Sequence, residues 1–150
     1  MARWQDVVDS EPEFAAQVRA LFDARRHKTM ATVRKDGSPR ISGIECEFRD
    51  GDLVFGSMKG ARKADDLRRD PRLAIHSPSV DPPDSPDPTT WAGDAKLSGR
   101  AVDVTEPGAS SFAYRVDVSE VVLTKVGGMD HLLVQLWRPG QPLKTMRRYD

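Results

Sequence analysis

Two Asp-Gly pairs, Asp36-Gly37 and Asp50-Gly51, separate runs of alternating side chains in the first half of the chain. Such a pair readily adopts the positive-φ backbone of a tight hairpin, so each marks a place where one extended run folds back on the next. This punctuation constrains the fold more than any other feature. Residues 28–34, 39–49 and 52–57 read as three consecutive antiparallel strands, a meander and not the start of a parallel sheet.

The rest of the chain follows the same grammar. "SEPEFAAQVRALFDARR" opens with a capping pattern and places Phe14, Val18, Leu21 and Phe22 at helical spacing, which predicts an amphipathic helix over residues 11–26. "GARKADDLRRDPR" predicts a short helix ended by Pro71, and residues 72–77 a fourth strand. Residues 78–91 are rich in proline and cannot form a regular ladder, so they read as a surface loop, either a lid or a disordered connector. "DAKLSGRAVDVT", "AYRVDVSEVVLTKVGG" and "DHLLVQLWRPG" supply three more strands, with a short helical connection expected over Gly108 to Phe112. The expected fold is therefore mainly β. It is a small closed barrel of six to seven antiparallel strands with an N-terminal helix and a short helix after the third strand. It forms a single domain over 1–150, with 1–10 as an N-terminal extension.

Charge then narrows the classes of partner. Lys plus Arg and Asp plus Glu are equal at 23 each, so nothing global attracts nucleic acid or an anionic membrane, and any anion site must be local. No run approaches the roughly 20 apolar residues of a membrane span, and the first residues lack the apolar centre of a secretory signal, so a cytoplasmic protein is expected. Cys46 stands alone, and His27, His76 and His131 show no short ligand spacing, so no metal site is expected.

The local anion site has one strong candidate. "GSMKGARKADDL" places Lys59, Arg62 and Lys63 at the start of the predicted helix, where the dipole is already positive and cations are disfavoured. A phosphate would reverse that penalty. Arg62 can grip it with two donors, Lys59 and Lys63 add charge, Gly60 permits close approach and Ser57 offers a hydroxyl. The plainer alternative is a solvated face on which Asp65 and Asp66 neutralise Arg62 and Lys63. The spacing is neither a P-loop nor a dinucleotide fingerprint.

At these residues the chain resembles the pyridoxamine 5'-phosphate oxidase-like flavin and deazaflavin oxidoreductases, which fold as split β-barrels. Their order of strand, Gly, Arg-Lys pair, helix and Pro-Arg strand start is matched in register by "LVFGSMKGARKADDLRRDPRLAIHS". The resemblance implies that Arg62 and Lys63 hold the FMN phosphate and that Gly56 and Ser57 lie beside the flavin. It implies that Arg40, Ile41, Ser42, Gly43 and the residues up to Glu45 run along the isoalloxazine ring. It further implies a homodimer with the cofactor at the subunit interface, where Arg147, ten residues after Trp137 in this sequence, meets the flavin of the partner. Trp137 read by itself is a buried strand aromatic.

The departures matter as much. Leu143 and Thr145 stand where the oxidases carry the Arg and His that grip pyridoxamine phosphate, and a neutral Leu cannot bind a phosphate. Glu45 replaces a family lysine, and Asp94 falls near a family glutamine. The resemblance thus implies an FMN-dependent oxidoreductase acting on another small molecule. Its first alternative is a reductase using the deazaflavin coenzyme F420, whose phosphate and acidic tail would suit Lys59 with Arg68 or Arg69. The others are a non-enzymatic flavin- or haem-binding module and a plain barrel that binds peptides or RNA. No general base is assigned: His27 and His131 read first as structural residues, and Cys46 as a buried, inert thiol.

Overall fold

The computed structural model describes residues 1–150. The chain forms α1 (Trp4–Ser10), α2 (Pro12–Asp23), β1 (His27–Val33), β2 (Pro39–Arg49), β3 (Asp52–Met58), α3 (Arg62–Arg69) and β4 (Arg72–His76). A 3-10 turn at Pro88–Thr90 then precedes β5 (Asp94–Asp103), β6 (Ser111–Val126), β7 (His131–Trp137) and β8 (Lys144–Tyr149).

The hairpin signals act where the sequence puts them. Asp50 and Gly51 hold φ of 53° and 81°, the paired positive values that match the twist of two antiparallel strands. The strands hydrogen-bond in the order β3-β2-β1-β4-β5-β6-β7-β8, and a further pairing between β3 and β6 closes the first six into a barrel. β7 and β8 extend the sheet from the far half of β6. The architecture is thus a mainly β split barrel. Gly99 lets it bend: the β5–β6 register shifts between Ser98 and Gly99, and a Cβ on Gly99 would lie 2.0 Å from the Asp117 carbonyl oxygen.

Alternation along the strands turns Met30, Leu53, Ile75, Leu97, Val116, Val121 and Leu123 into the interior, each almost completely buried. Side chains of this size stabilise by about 1.5–3 kcal/mol each when removed from water. The two N-terminal helices pack onto this core, α1 through Trp4 and Val7 and α2 through Phe14, Val18, Leu21 and Phe22. Trp4 and Phe22 both meet Phe48, with ring centroids 4.6 and 6.0 Å away.

Four local details differ from the sequence expectation. The predicted helix over 11–26 is shorter, with Ala24 as its last cap and β1 starting at His27. Residues 1–10 contain a second helix, α1, whose Trp4 and Val7 are buried; Pro12 separates it from α2 by removing the N–H needed to continue. Gly108 to Phe112 are not helical: Gly108 takes φ of 81° in a turn, and β6 begins at Ser111. β8 is an additional edge strand whose side chains are mostly exposed, so no apolar alternation announces it. No helix is long and apolar enough to cross a membrane.

Candidate functional site

The split in the barrel is a consequence of two strands that change partners. β2 pairs with β1 from Pro39 to Glu45 but with β3 only from Cys46 to Arg49. β3 leaves β2 after Phe55 and runs along β6 as far as Met58. Beyond Ile44 and Gly56 the two strands therefore diverge, and the edge of β2 that faces the gap has no ladder partner. A groove of about 1110 Å³ opens there.

Small residues keep the groove clear. Gly56 lies directly across from Ala113, and Gly43 lines the opposite side. Aromatic rings form one wall: Phe55 stacks on Tyr114 at 5.0 Å and 23°, and Phe112 lies 6.2 Å from Tyr114. Lys28, Glu45, Ser57 and Lys63 supply polar atoms. The Lys28 ammonium is nearly buried and donates to the carbonyls of Arg26 and Cys46 at 3.0 and 3.2 Å. Ser57 donates its hydroxyl to the Met58 carbonyl at 3.0 Å.

At one end the groove meets the first turn of α3. No side chain caps this helix, and the amides of Arg62 and Lys63 have no acceptor in the chain. A Cβ on Gly60 would meet nothing within 4 Å, so the approach is open. The carboxylates of the helix do not neutralise the cations at its start. Asp65 pairs with Arg68 at 3.6 Å, while Asp66 pairs with Arg69 at 3.1 Å and with Arg40 at 2.7 Å. Lys59 and Arg68 instead sit over the Phe112 ring, 5.8 and 5.7 Å from its centroid.

Across the helix start lies a second, smaller depression, lined only by charged residues: Arg34, Lys35, Asp36, Arg40, Arg62, Asp65, Asp66 and Arg69. Asp66 is 2% exposed. Burial by itself would raise its pKa, but hydrogen bonds from Arg40, Thr32 and Arg69 together outweigh that and hold it below the usual carboxylate range.

The residues singled out in the sequence thus distribute over several places. Gly43, Gly56, Ser57 and Lys63 line the groove, and Arg40 and Arg62 line the depression. Ser42 is half-buried on β2, and Ile41 points out, 74% exposed. Lys59 lies beside Phe112 at the groove wall. Trp137 is buried in the core and donates its indole N–H to Ser10 Oγ at 2.8 Å. Arg147 is exposed on β8 without an ion pair, and within one chain neither Trp137 nor Arg147 reaches the groove.

Glu45 faces His27 Nε2 at 3.4 Å on the groove rim, whereas Asp94 lies 3.7 Å from His76 outside it. None of residues 78–91 lines the groove; Trp91 ties that loop to itself by donating to the Val80 carbonyl at 2.8 Å. Burial pushes the Cys46 thiol up to about 11. No three His, Cys, Asp or Glu side chains gather as metal ligands. Sequence reasoning missed Phe112, Tyr114, Lys28 and Asp66. The i,i+2 spacing of the two aromatics hinted at one strand face, but nothing in the sequence separates Asp66 from its exposed neighbour Asp65.

The sequence model of the pyridoxamine 5'-phosphate oxidase family matches residues 14–123. No curated protein matches the sequence. Among solved structures, a pyridoxamine 5'-phosphate oxidase-related, FMN-binding protein from Nostoc punctiforme is similar over 100% of this chain and 99% of its own. Its TM-score is 0.61 and its identity 13%. An F420 reductase is similar over 69% of this chain and 94% of its own, at 0.51 and 19%. A haem-binding protein from Mycobacterium smegmatis is similar over 87% of this chain and 56% of its own, at 0.56 and 18%. At these identities the likeness establishes a shared fold.

Proposed function

The chain belongs to the pyridoxamine 5'-phosphate oxidase family, and from that premise we propose a cytoplasmic, homodimeric oxidoreductase that holds FMN in the groove. It transfers hydride or electrons to or from a small molecule other than pyridoxamine phosphate. The observation that carries the reading is the bare first turn of α3. Two amides without acceptors and two cations without carboxylate partners stand at a positive helix end, a cost that a bound phosphate removes.

The donor set fits the group. Arg62 and Lys63 with their own amides suit a phosphate dianion, and Arg40 lines the same depression as Arg62. The gap between β2 and β3, floored by Gly56 and Ala113, suits a flat ring, and the free edge of β2 offers backbone donors and acceptors to the ring's polar rim. When bound, FMN supplies the hydride or electron chemistry at its ring. The chain's own groups bind, orient and exclude water: Phe55, Phe112 and Tyr114 keep one wall apolar, and the nearly buried Lys28 ammonium brings a positive charge to the groove lining.

Leu143, partly buried against the core, supports a substrate without the phosphate that the oxidases grip. Exposed apolar side chains near the cofactor elements, Ile41, Met58 and Val104, support a self-association face, and Arg147 on the edge strand is free to reach a partner's groove.

One observation favours the deazaflavin coenzyme as a second reading. The depression holds Arg34 and Lys35 beyond what a single phosphate needs, and neither has a carboxylate partner, which suits an acidic tail. Fluorescence titration of the purified protein with FMN and with coenzyme F420, repeated on Arg62→Ala/Lys63→Ala, tests both. Tight binding of one, lost in the double variant, supports the reading and chooses the cofactor. Binding of neither removes it. A bound flavin that no added electron donor reduces would instead favour a storage or sensing module.

A further inference from the structure

Arg40 and Thr32 are cross-strand partners on β2 and β1, and both turn toward α3. Both donate to one oxygen of Asp66, Arg40 through Nε and Thr32 through its hydroxyl, each at 2.7 Å. Arg69 closes the other oxygen at 3.1 Å and also donates to the Val33 carbonyl at 2.9 Å. The buried carboxylate is therefore fully engaged, and it fixes the guanidinium of Arg40 by its Nε edge. The two Nη groups of Arg40 make no hydrogen bond within the chain, and Arg40 lines the charged depression together with Arg62.

We propose that Asp66 is a positioning residue which orients Arg40 so that its free Nη fork receives the cofactor's phosphate. The inference rests on the flavin reading above, and deepens it. An arginine tethered at Nε has lost its side-chain freedom before the ligand arrives, so less is lost when the fork binds. A lysine at position 40 would not do the same, because its three donors share one nitrogen on a flexible stem and leave no separate planar fork when one of them is held by Asp66. The negative charge of Asp66 is offset by the two guanidinium groups paired with it, Arg40 and Arg69.

The test compares FMN with riboflavin, which has the same ring and no phosphate, by fluorescence quenching. In Asp66→Asn, FMN affinity should fall about tenfold, the scale of one misplaced charge-assisted bond, while riboflavin affinity stays as in the wild type. The combined Asp66→Asn/Arg40→Ala should bind FMN no more weakly than Arg40→Ala alone, because the second residue acts only through the first. Where Asp66→Asn does not fold, the near-isosteric Thr32→Val serves, with the same selective loss expected at about threefold. An unchanged FMN-to-riboflavin ratio, an equal loss for both ligands, or independent losses in the double variant would each overturn the positioning role. A wild-type protein that binds neither flavin overturns the flavin reading and this inference together.

Discussion

The two hollows on either side of the α3 start are built from opposite materials. The groove combines Phe55, Phe112 and Tyr114 with small residues and a few polar groups; the depression contains no apolar side chain at all. They meet at adjacent residues, Lys63 in the first and Arg62 in the second. A flat aromatic ligand gains from the groove through desolvation and stacking, whereas the depression rewards only charge. A molecule that spans both needs a ring at one end and an anion at the other.

The largest expected effect comes from cutting the junction. Arg62→Ala/Lys63→Ala should weaken FMN binding at least about 100-fold, by the loss of two charge-assisted contacts. Thermal unfolding should show the same variant equally or slightly more stable, because two cations leave a positive helix end. A clear loss of stability would mean that these cations serve the fold.

Filling the groove should act on the ring alone. Gly56→Val places a side chain on the floor, where the first carbon meets only the Phe112 carbonyl oxygen at 3.4 Å. It should weaken FMN and riboflavin alike, by about 30-fold if stacking of one ring face is lost. Equal binding by the variant would move the ring out of the groove.

The depression should respond to pH through Asp66. The Asp66 pKa is depressed in the fold, so its contribution to stability is present above the unfolded value of about 3.9 and is lost as pH falls through the folded value. Urea unfolding at pH 6 and pH 3 should show this loss in the wild type and a flatter dependence in Asp66→Asn. Removal of the outer cations, Arg34→Ala/Lys35→Ala, should leave FMN binding within about threefold, as exposed charges contribute little, and weaken coenzyme F420 if its acidic tail lies there.

The smallest effect is expected at Cys46 in the groove, whose thiol stays protonated with a pKa of about 11. At pH 8 it should not react with a thiol reagent until the protein unfolds. Rapid native reaction would show that the split opens more widely than this structure describes.

Much of the fold was legible because it rests on local chemistry. The Asp-Gly turns, the alternating strands and the helix stop at Pro71 each act within a few residues, and all reappear in the barrel. β8 was not legible, because an exposed edge strand has no apolar stripe, and α1 was read as an extension because its buried pair, Trp4 and Val7, spans less than one helical turn. Of the candidate residues, Arg62 and Lys63 could be named from the misplaced charge they bring to a helix start. The role of Asp66 could not, since its neighbour Asp65 differs from it only in facing solvent.

What the sequence by itself determined is a family and a local violation: a β-rich chain with too much positive charge where a helix begins. Tertiary structure decided which carboxylate answers which cation. It sent Asp65 to Arg68 and Asp66 to Arg40 and Arg69, and left Arg62 and Lys63 unanswered. It also decided that β2 and β3 should part beyond Ile44 and Gly56. The pairs within α3 lie one helical turn apart, but the Asp66–Arg40 contact and the parting of β2 from β3 join residues far apart in the chain, where helical or strand spacing has no reach and only the closing of the barrel fixes the geometry.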